Sequence, residues 1–185
     1  MSGAESPMLS NLPTYDEDDN VNAVVEAPKG SLAKLKFDTK FGVFTISRSL
    51  PVGLSYPYDW GFIPSTRGPD GDPLDVLILH EGSTFPGVVL PCRPLGLIKM
   101  DEEEEKGTRK RNDRIIVAPA WHECLVELHG SSEVSKAMRN EIEQFFLNTV
   151  FFSSKHARIL AWKGPKKAAS SIEAGRIAFK ARKKK

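Results

Sequence analysis

Seven short segments with the composition of β-strands lie close together between residues 21 and 118. They are residues 21–27, 34–37, 42–47, 76–80, 88–92, 95–100 and 114–118. Turn residues separate them, as in Pro28-Lys29-Gly30 and Asp38-Thr39-Lys40. Short strands at this density predict a small β-barrel.

Two helical segments are expected after the strands. Residues 132–148 carry apolar side chains at helical spacing, and Ser132 is placed to cap this helix. These apolar side chains are Val134, Met138, Ile142, Phe145 and Phe146, and we expect them in the core. Pro165 suits the first position of a second helix, whose apolar residues are Ala168, Ala169, Ile172 and Ile177. The predicted fold class is therefore α+β, mainly β.

The segment Asp70-Gly71-Asp72-Pro73-Leu74-Asp75 places three carboxylates within six residues. Carboxylates this close repel one another, and a hard cation such as Mg²⁺ would neutralise them through oxygen ligands, as at a phosphoryl or diphosphate site. A calcium loop is an alternative, but Leu74 stands where it needs a ligand and Asp75 where it needs glycine. A solvated acidic turn is the other alternative, because Asp, Gly and Pro are ordinary turn residues.

The length of 185 residues suits one compact domain. We expect a polar, mobile segment at residues 1–20, a single domain at 21–180 and a basic tail at 181–185, which leaves nucleic-acid binding open. Cys92 and Cys124 suggest neither a metal pair nor a disulfide framework, which favours a reducing compartment. Apolar runs are too short to span a membrane, and no signal-like start is seen, so we expect a cytoplasmic protein.

A longer motif surrounds the acidic segment. The chain reads Tyr56-Pro57-Tyr58-Asp59-Trp60-Gly61-Phe62-Ile63-Pro64 just before it, and together the two resemble the soluble family I inorganic pyrophosphatases. The similarity covers about residues 21 to 180 and includes Arg93-Pro94-Leu95-Gly96 and Ile115-Ile116-Val117-Ala118-Pro119. It implies a five-stranded barrel of the oligonucleotide-binding type flanked by helices. It also implies Mg²⁺-dependent hydrolysis of inorganic diphosphate to two phosphates, by a homo-oligomer.

The resemblance also implies roles for individual residues. Asp70 and Asp75 are expected to be metal ligands, with Asp72 as the general base close to the attacking water. Glu26 corresponds to an acidic position near the metals. The groups expected to act on phosphate are Lys34, Arg48, Tyr56 and Arg114.

Two further metal positions each have two candidates. The first is Asp101 or Glu102, within an acidic run. The second is Asn112, in register with the family's aspartate, or Asp113 if the chain shifts by one residue. Strand alternation places Asn112 and Arg114 on one face and Asp113 on the other. Asn112 can offer an oxygen but does not neutralise a cation.

Other positions depart from the family pattern. Lys36 stands where many members have glutamate, Trp60 replaces a tyrosine, and Thr149-Val150 replace a Tyr-Lys pair that contacts phosphate. Two alternatives to diphosphate hydrolysis follow. One is a catalytically weakened, pyrophosphatase-like binding protein, and the other is a hydrolase of a different diphosphate.

Overall fold

The computed structural model describes residues 8–103, 107–121, 134–150 and 156–182. The strands of the described residues are β1 (Val21–Ala27), β2 (Ala33–Asp38), β3 (Val43–Ser49), β4 (Asp59–Ile63), β5 (Leu74–Ile78), β6 (Val89–Glu103), β7 (Arg109–Arg111), β8 (Arg114–Pro119) and β9 (Arg158–Lys163). The two α-helices are α1 (Lys136–Thr149) and α2 (Pro165–Arg182), and a 3₁₀ turn covers Leu9–Asn11. Within the described ranges, no helix has the length and apolar character needed to cross a bilayer.

Five strands close into a barrel. Their order is β1, β4, β5, β8 and β6, and β6 pairs back with β1, so the ring has no open edge. All these pairs are antiparallel except β5 with β8. β7 and β9 pair with β6 outside the ring. The predicted mainly β fold with a five-stranded barrel of the oligonucleotide-binding type is therefore confirmed.

The core consists of two main apolar clusters, one on each side of the barrel strands. Val76 and Ile78 of β5 belong to the cluster that includes Ile172 of α2. Leu77, between them, belongs to the cluster that includes Phe146 of α1. Because both faces of β5 are covered from Val76 onward, Val76, Leu77 and Ile78 form a continuous apolar run instead of an alternating pattern.

One predicted boundary inside the barrel is wrong. Residues 88–92 and 95–100 were expected to form two strands, but β6 is one strand of 15 residues. Its pairing with β8 shifts register between Pro94 and Gly96. Such a bulge lets a strand continue past a proline, which has no N–H to donate to the ladder.

Three strands were not predicted: β4, β7 and β9. β4 contains Gly61, a residue that weakens a strand pattern. The structure shows why glycine is needed there, because a Cβ at position 61 would lie 1.8 Å from the carbonyl oxygen of Val24 on β1. Glycine thus permits the close approach of two neighbouring barrel strands.

The observed start of one helix differs from the prediction, and the start of the other agrees with it. α1 starts at Lys136, later than expected, and Ser135 caps it by accepting the Met138 N–H at 3.2 Å. The predicted cap, Ser132, lies outside the described residues. α2 begins at Pro165, as predicted. Its apolar face is narrower than expected, because Ile177 is 58% exposed.

Candidate active site

The β2–β3 hairpin is a two-stranded sheet separate from the barrel sheet. Lys34 pairs in register with Arg48, and Lys36 pairs with Thr45. Because side chains alternate along a strand, Lys34 and Lys36 lie on the same face of β2. Both line a cavity between this hairpin and the barrel.

The acidic segment forms a tight turn that leads into β5. Asp70 Oδ1 accepts the Asp72 N–H at 3.1 Å, and the Gly68 N–H donates to the Asp72 carbonyl at 2.7 Å. Gly71 has a φ of 92°, in the left-handed region that favours glycine. Asp75 already belongs to β5, so the barrel fixes its backbone.

The acidic turn and the hairpin line a common cavity of about 970 Å³. The cavity brings together all the predicted site residues except Asp101 and Asp113. Those that line it are Glu26, Lys34, Arg48, Tyr56, Asp70, Asp72, Asp75, Glu102, Asn112 and Arg114. The wall therefore presents carboxylates and cations to the same space.

Arg114 organises one end of the cavity. Its Nη1 donates to Asp75 Oδ2 and to Asn112 Oδ1, and its Nη2 donates to Glu102 Oε1 at 3.3 Å. The guanidinium carbon lies 5.2 Å from the centre of the Trp60 ring. Arg114 is buried, so the ring and the three oxygens fix its position.

Asn112 lies on the cavity side. Its Nδ2 donates to Glu102 Oε1 at 2.9 Å while its Oδ1 accepts from Arg114. Asp113 points elsewhere, because its Oδ1 accepts from the Met100 N–H at 3.2 Å and from Arg111 at 2.6 Å. Of the two candidates for this metal position, only Asn112 lines the cavity.

Asp101 also lies outside the cavity. Hydrogen bonds from Arg158 and Arg109 hold the pKa of Asp101 at about 2. Arg109 Nε lies 2.7 Å from Asp101 Oδ1, and Arg158 Nη2 lies 3.1 Å from Oδ2. These two arginines keep Asp101 on the far face of β6, and its neighbour Glu102 lines the cavity instead.

Burial changes the acid–base properties of the cavity wall. It raises the pKa of Glu26 to about 7, although the Phe37 N–H, at 2.8 Å, stabilises the carboxylate. Burial lowers the pKa of Lys34, while Asp75 opposes that shift. Burial also raises the pKa of Tyr56, so its hydroxyl stays protonated and able to donate.

Glu26→Gln should change how stability depends on pH. In the folded protein Glu26 has a pKa of about 7, against 4.5 ordinarily, so the folded state keeps a proton that the unfolded chain releases. The free energy of unfolding therefore falls as pH rises through this window. The variant should lose this dependence on pH. Its free energy of unfolding should therefore rise by more than about 1 kcal/mol relative to that of the wild type as pH increases from 4.5 to 8. Urea unfolding in EDTA measures it, and parallel pH curves would contradict the assignment.

The ligand types in the cavity fit a hard divalent cation. Carboxylate and amide oxygens are the ligands such ions prefer, and the cavity lining includes the carboxylates of Asp70, Asp75 and Glu26 and the amide of Asn112. Among the described residues, no group of three or more His, Cys, Asp or Glu side chains is arranged to hold an ion. Protein cations lie on two of the carboxylates, because Lys36 bonds to Asp72 and Arg114 to Asp75.

Several residues of the cavity wall were not predicted as site residues. Four positions that depart from the family pattern line the cavity: Lys36, Trp60, Thr149 and Val150. Phe145 and Phe146, expected in the core, line it as well. The spacing of two residues between Lys34 and Lys36 on a predicted strand was the signal that could have identified Lys36.

Comparison with known proteins agrees with the geometry. The family model described as inorganic pyrophosphatase matches residues 23–180. The inorganic pyrophosphatase of Thermus thermophilus is 34% identical over 170 residues, which cover 90% of this chain and 94% of the relative. That of Synechocystis is 33% identical over 155 residues, covering 84% of this chain and 89% of the relative.

The solved structures give the same result. The crystal structure of the inorganic pyrophosphatase from Thermus thermophilus superimposes with a TM-score of 0.85 at 33% identity, covering 94% of this chain and 99% of that chain. The enzyme from Helicobacter pylori gives a TM-score of 0.82 at 25% identity, covering 91% and 98%. The resemblance stated from the sequence is confirmed, and the chain belongs to the inorganic pyrophosphatase family.

Proposed function

We propose that this chain hydrolyses inorganic diphosphate to two phosphates and uses Mg²⁺ to do so. The observation that carries the proposal is the cavity of about 970 Å³ in which the acidic turn faces the cationic β2–β3 hairpin. Carboxylates suit the metal, and the lysine and arginine side chains suit the anionic substrate. Family membership supports the same activity.

The metal requirement follows from the family, which implies dependence on a divalent cation. Mg²⁺ is the ion we propose, because it prefers carboxylate oxygens and substrate phosphates. A bound divalent ion neutralises charge on diphosphate and lowers the pKa of a bound water. Asp70, Asp75 and Glu26 are the residues we propose to hold it, with Glu102 and Asn112 as donors for a further ion.

The remaining residues of the cavity bind substrate and move the proton. Asp72 accepts the proton of the water that attacks phosphorus, and the bridging P–O bond then breaks. Lys34 and Arg48 donate to phosphate oxygens, the arginine through its planar fork. Tyr56, which keeps its proton, donates a further hydrogen bond.

Arg114 has a positioning role in this proposal. Its guanidinium donates hydrogen bonds to Asp75, Asn112 and Glu102. It therefore sets the spacing of three oxygens that we propose as metal ligands. Because Arg114 lines the cavity, its positive charge would also stabilise the charge that develops on the leaving phosphate.

Arg114→Lys should separate the effect of the positive charge at this position from the effect of the hydrogen bonds to three oxygens. Lysine keeps the positive charge but loses the fork that joins three oxygens, so we expect kcat to fall roughly tenfold and the KM for Mg²⁺ to rise. Initial rates over a Mg²⁺ series measure both. Unchanged kinetics would show that the fork does not position the donors.

Substrate choice is tested by comparing inorganic diphosphate with a nucleoside diphosphate. We expect phosphate release from inorganic diphosphate in MgCl₂, with kcat/KM for the nucleoside diphosphate at least about a hundredfold lower. The reverse preference would support hydrolysis of an organic diphosphate. Binding of both without phosphate release would support a binding protein.

We also propose a cytoplasmic location and a homo-oligomeric state for the chain. Its sequence contains 2 cysteines, and Cys92 is a free, buried thiol, as suits a reducing compartment. Light scattering coupled to size-exclusion chromatography measures the oligomeric state directly. A mass of one chain, 20.5 kDa, would overturn that part of the proposal.

A further inference from the structure

Lys36 makes a contact across the cavity. It lies on β2, two residues beyond Lys34 and on the same face. Its Nζ lies 2.8 Å from Oδ2 of Asp72 in the acidic turn. The hydrogen bond to Asp72 raises the pKa of Lys36, so the lysine is charged at neutral pH. This ion pair connects the separate β2–β3 hairpin to the turn that enters the barrel.

The Lys36–Asp72 pair is exposed, unlike the contacts of Arg114. The side chains of Lys36 and Asp72 are 52% and 59% exposed, whereas the side chain of Arg114 is 8% exposed. An exposed ion pair shifts an equilibrium by no more than roughly fivefold, so it breaks readily when a stronger partner arrives. The phosphate oxygens of a diphosphate are such a partner, because they carry more negative charge than one carboxylate.

We propose that Lys36 is a further substrate-binding residue, which leaves Asp72 and donates to a phosphate oxygen when diphosphate enters the cavity. The inference rests on the proposed function, since it assigns a role in the same site. Before substrate binds, Lys36 occupies one carboxylate oxygen of Asp72, and its charge opposes cation binding at the acidic turn. After substrate binds, Asp72 is free to accept the proton of the attacking water.

Lys36→Met removes the charge and keeps most of the aliphatic stem. We expect the KM for diphosphate to rise about tenfold or more, as for the loss of a charge-assisted hydrogen bond, while kcat changes less than about threefold. Lys36→Arg should recover most of the lost affinity, because it restores the cation. Lys36→Gln provides a second neutral variant, and circular dichroism verifies the fold of each.

Lys40→Met is the matched control. Lys40 follows β2 in the same hairpin, its Nζ lies 5.1 Å from the centre of the Phe41 ring, and it is not one of the residues that line the cavity. It carries the same charge as Lys36, so it reports how much the hairpin's overall charge contributes. We expect the KM of this variant to stay within about twofold of wild type, since distant exposed charges are screened.

Binding measurements without turnover should show two opposite changes in the affinity of Lys36→Met. Equilibrium dialysis with methylene diphosphonate in MgCl₂ should show about tenfold weaker binding to Lys36→Met than to wild type. Dialysis with Mn²⁺ alone should show about threefold tighter binding to the variant, because the competing cation is gone. A lysine that only stabilised the hairpin would produce neither shift.

The outcomes separate this inference from the proposed function. Wild-type protein that releases no phosphate from diphosphate would overturn the proposed function, while the dialysis experiment would still report on Lys36. Equal diphosphonate binding by wild type and Lys36→Met would overturn the role of Lys36, even in an active enzyme. An equal loss of affinity in Lys40→Met would also overturn it, since the effect would then belong to the hairpin's charge.

Discussion

Asp75→Asn should lower the rate of Mg²⁺-dependent phosphate release at least about a hundredfold. The substitution removes a negative charge that we expect to bind the metal and thereby stabilise the transition state. Asp75 lines the cavity and bonds to Arg114, at the start of β5. Burial raises its pKa, while Arg114 and Lys34 oppose the shift. Initial rates with saturating diphosphate over a range of Mg²⁺ concentrations measure the loss.

The variant should keep its fold. The side-chain oxygen of asparagine still accepts the hydrogen bond from Arg114, so no buried donor loses its partner. We expect an unchanged circular dichroism spectrum and a small change in Tm. Asp18→Asn, at an exposed position near the N-terminus, is the control for the same chemical change and should keep wild-type rates. Full activity in Asp75→Asn would refute the metal assignment.

Gly61→Ala should destabilise the fold by more than about 3 kcal/mol, because the new Cβ overlaps a neighbouring strand. That Cβ would lie 1.8 Å from the Val24 carbonyl oxygen and 3.0 Å from the Val25 Cα. Both clashes are with backbone atoms of β1, which cannot rotate away as a side chain can. The barrel would have to open between β1 and β4, in which every residue is buried.

The midpoint of urea unfolding measures the loss of stability in Gly61→Ala. Gly82→Ala is the matched control. A Cβ at position 82 would lie 3.5 Å from His80 Nδ1, an ordinary contact, so we expect a change within about 0.5 kcal/mol. Equal midpoints for Gly61→Ala and wild type would show that β1 and β4 are farther apart than described.

The fold was predictable where the residue pattern is local. The apolar run that contains Val76 and Leu77 predicted β5, and Pro165 predicted the start of α2. β4 was missed because its central Gly61 has a long-range reason, the approach of β1. The continuity of β6 past Pro94 was missed because the bulge depends on pairing with β8. Such long-range contacts cannot be read from spacing along the chain.

The site shows the same limit. The acidic turn was predicted from its own residues, but the choice between Asp101 and Glu102 depended on partners far away in sequence. Arg158 lies 57 positions from Asp101 and holds it outside the cavity. The contact between Lys36 and Asp72 spans 36 positions and was likewise not predicted. The choice between Asn112 and Asp113 stayed open in the sequence, because both lie in the short link between β7 and β8 and Asp113 is held by Met100 and Arg111.

The most direct test of Mg²⁺-dependent diphosphate hydrolysis by this chain is phosphate release from inorganic diphosphate by the wild-type protein, first in EDTA and then after addition of MgCl₂. We predict no release in EDTA and rapid release with Mg²⁺, with two phosphates formed for each diphosphate consumed. No release by folded protein in MgCl₂ would contradict the proposed function, and equal release in EDTA would contradict the metal requirement.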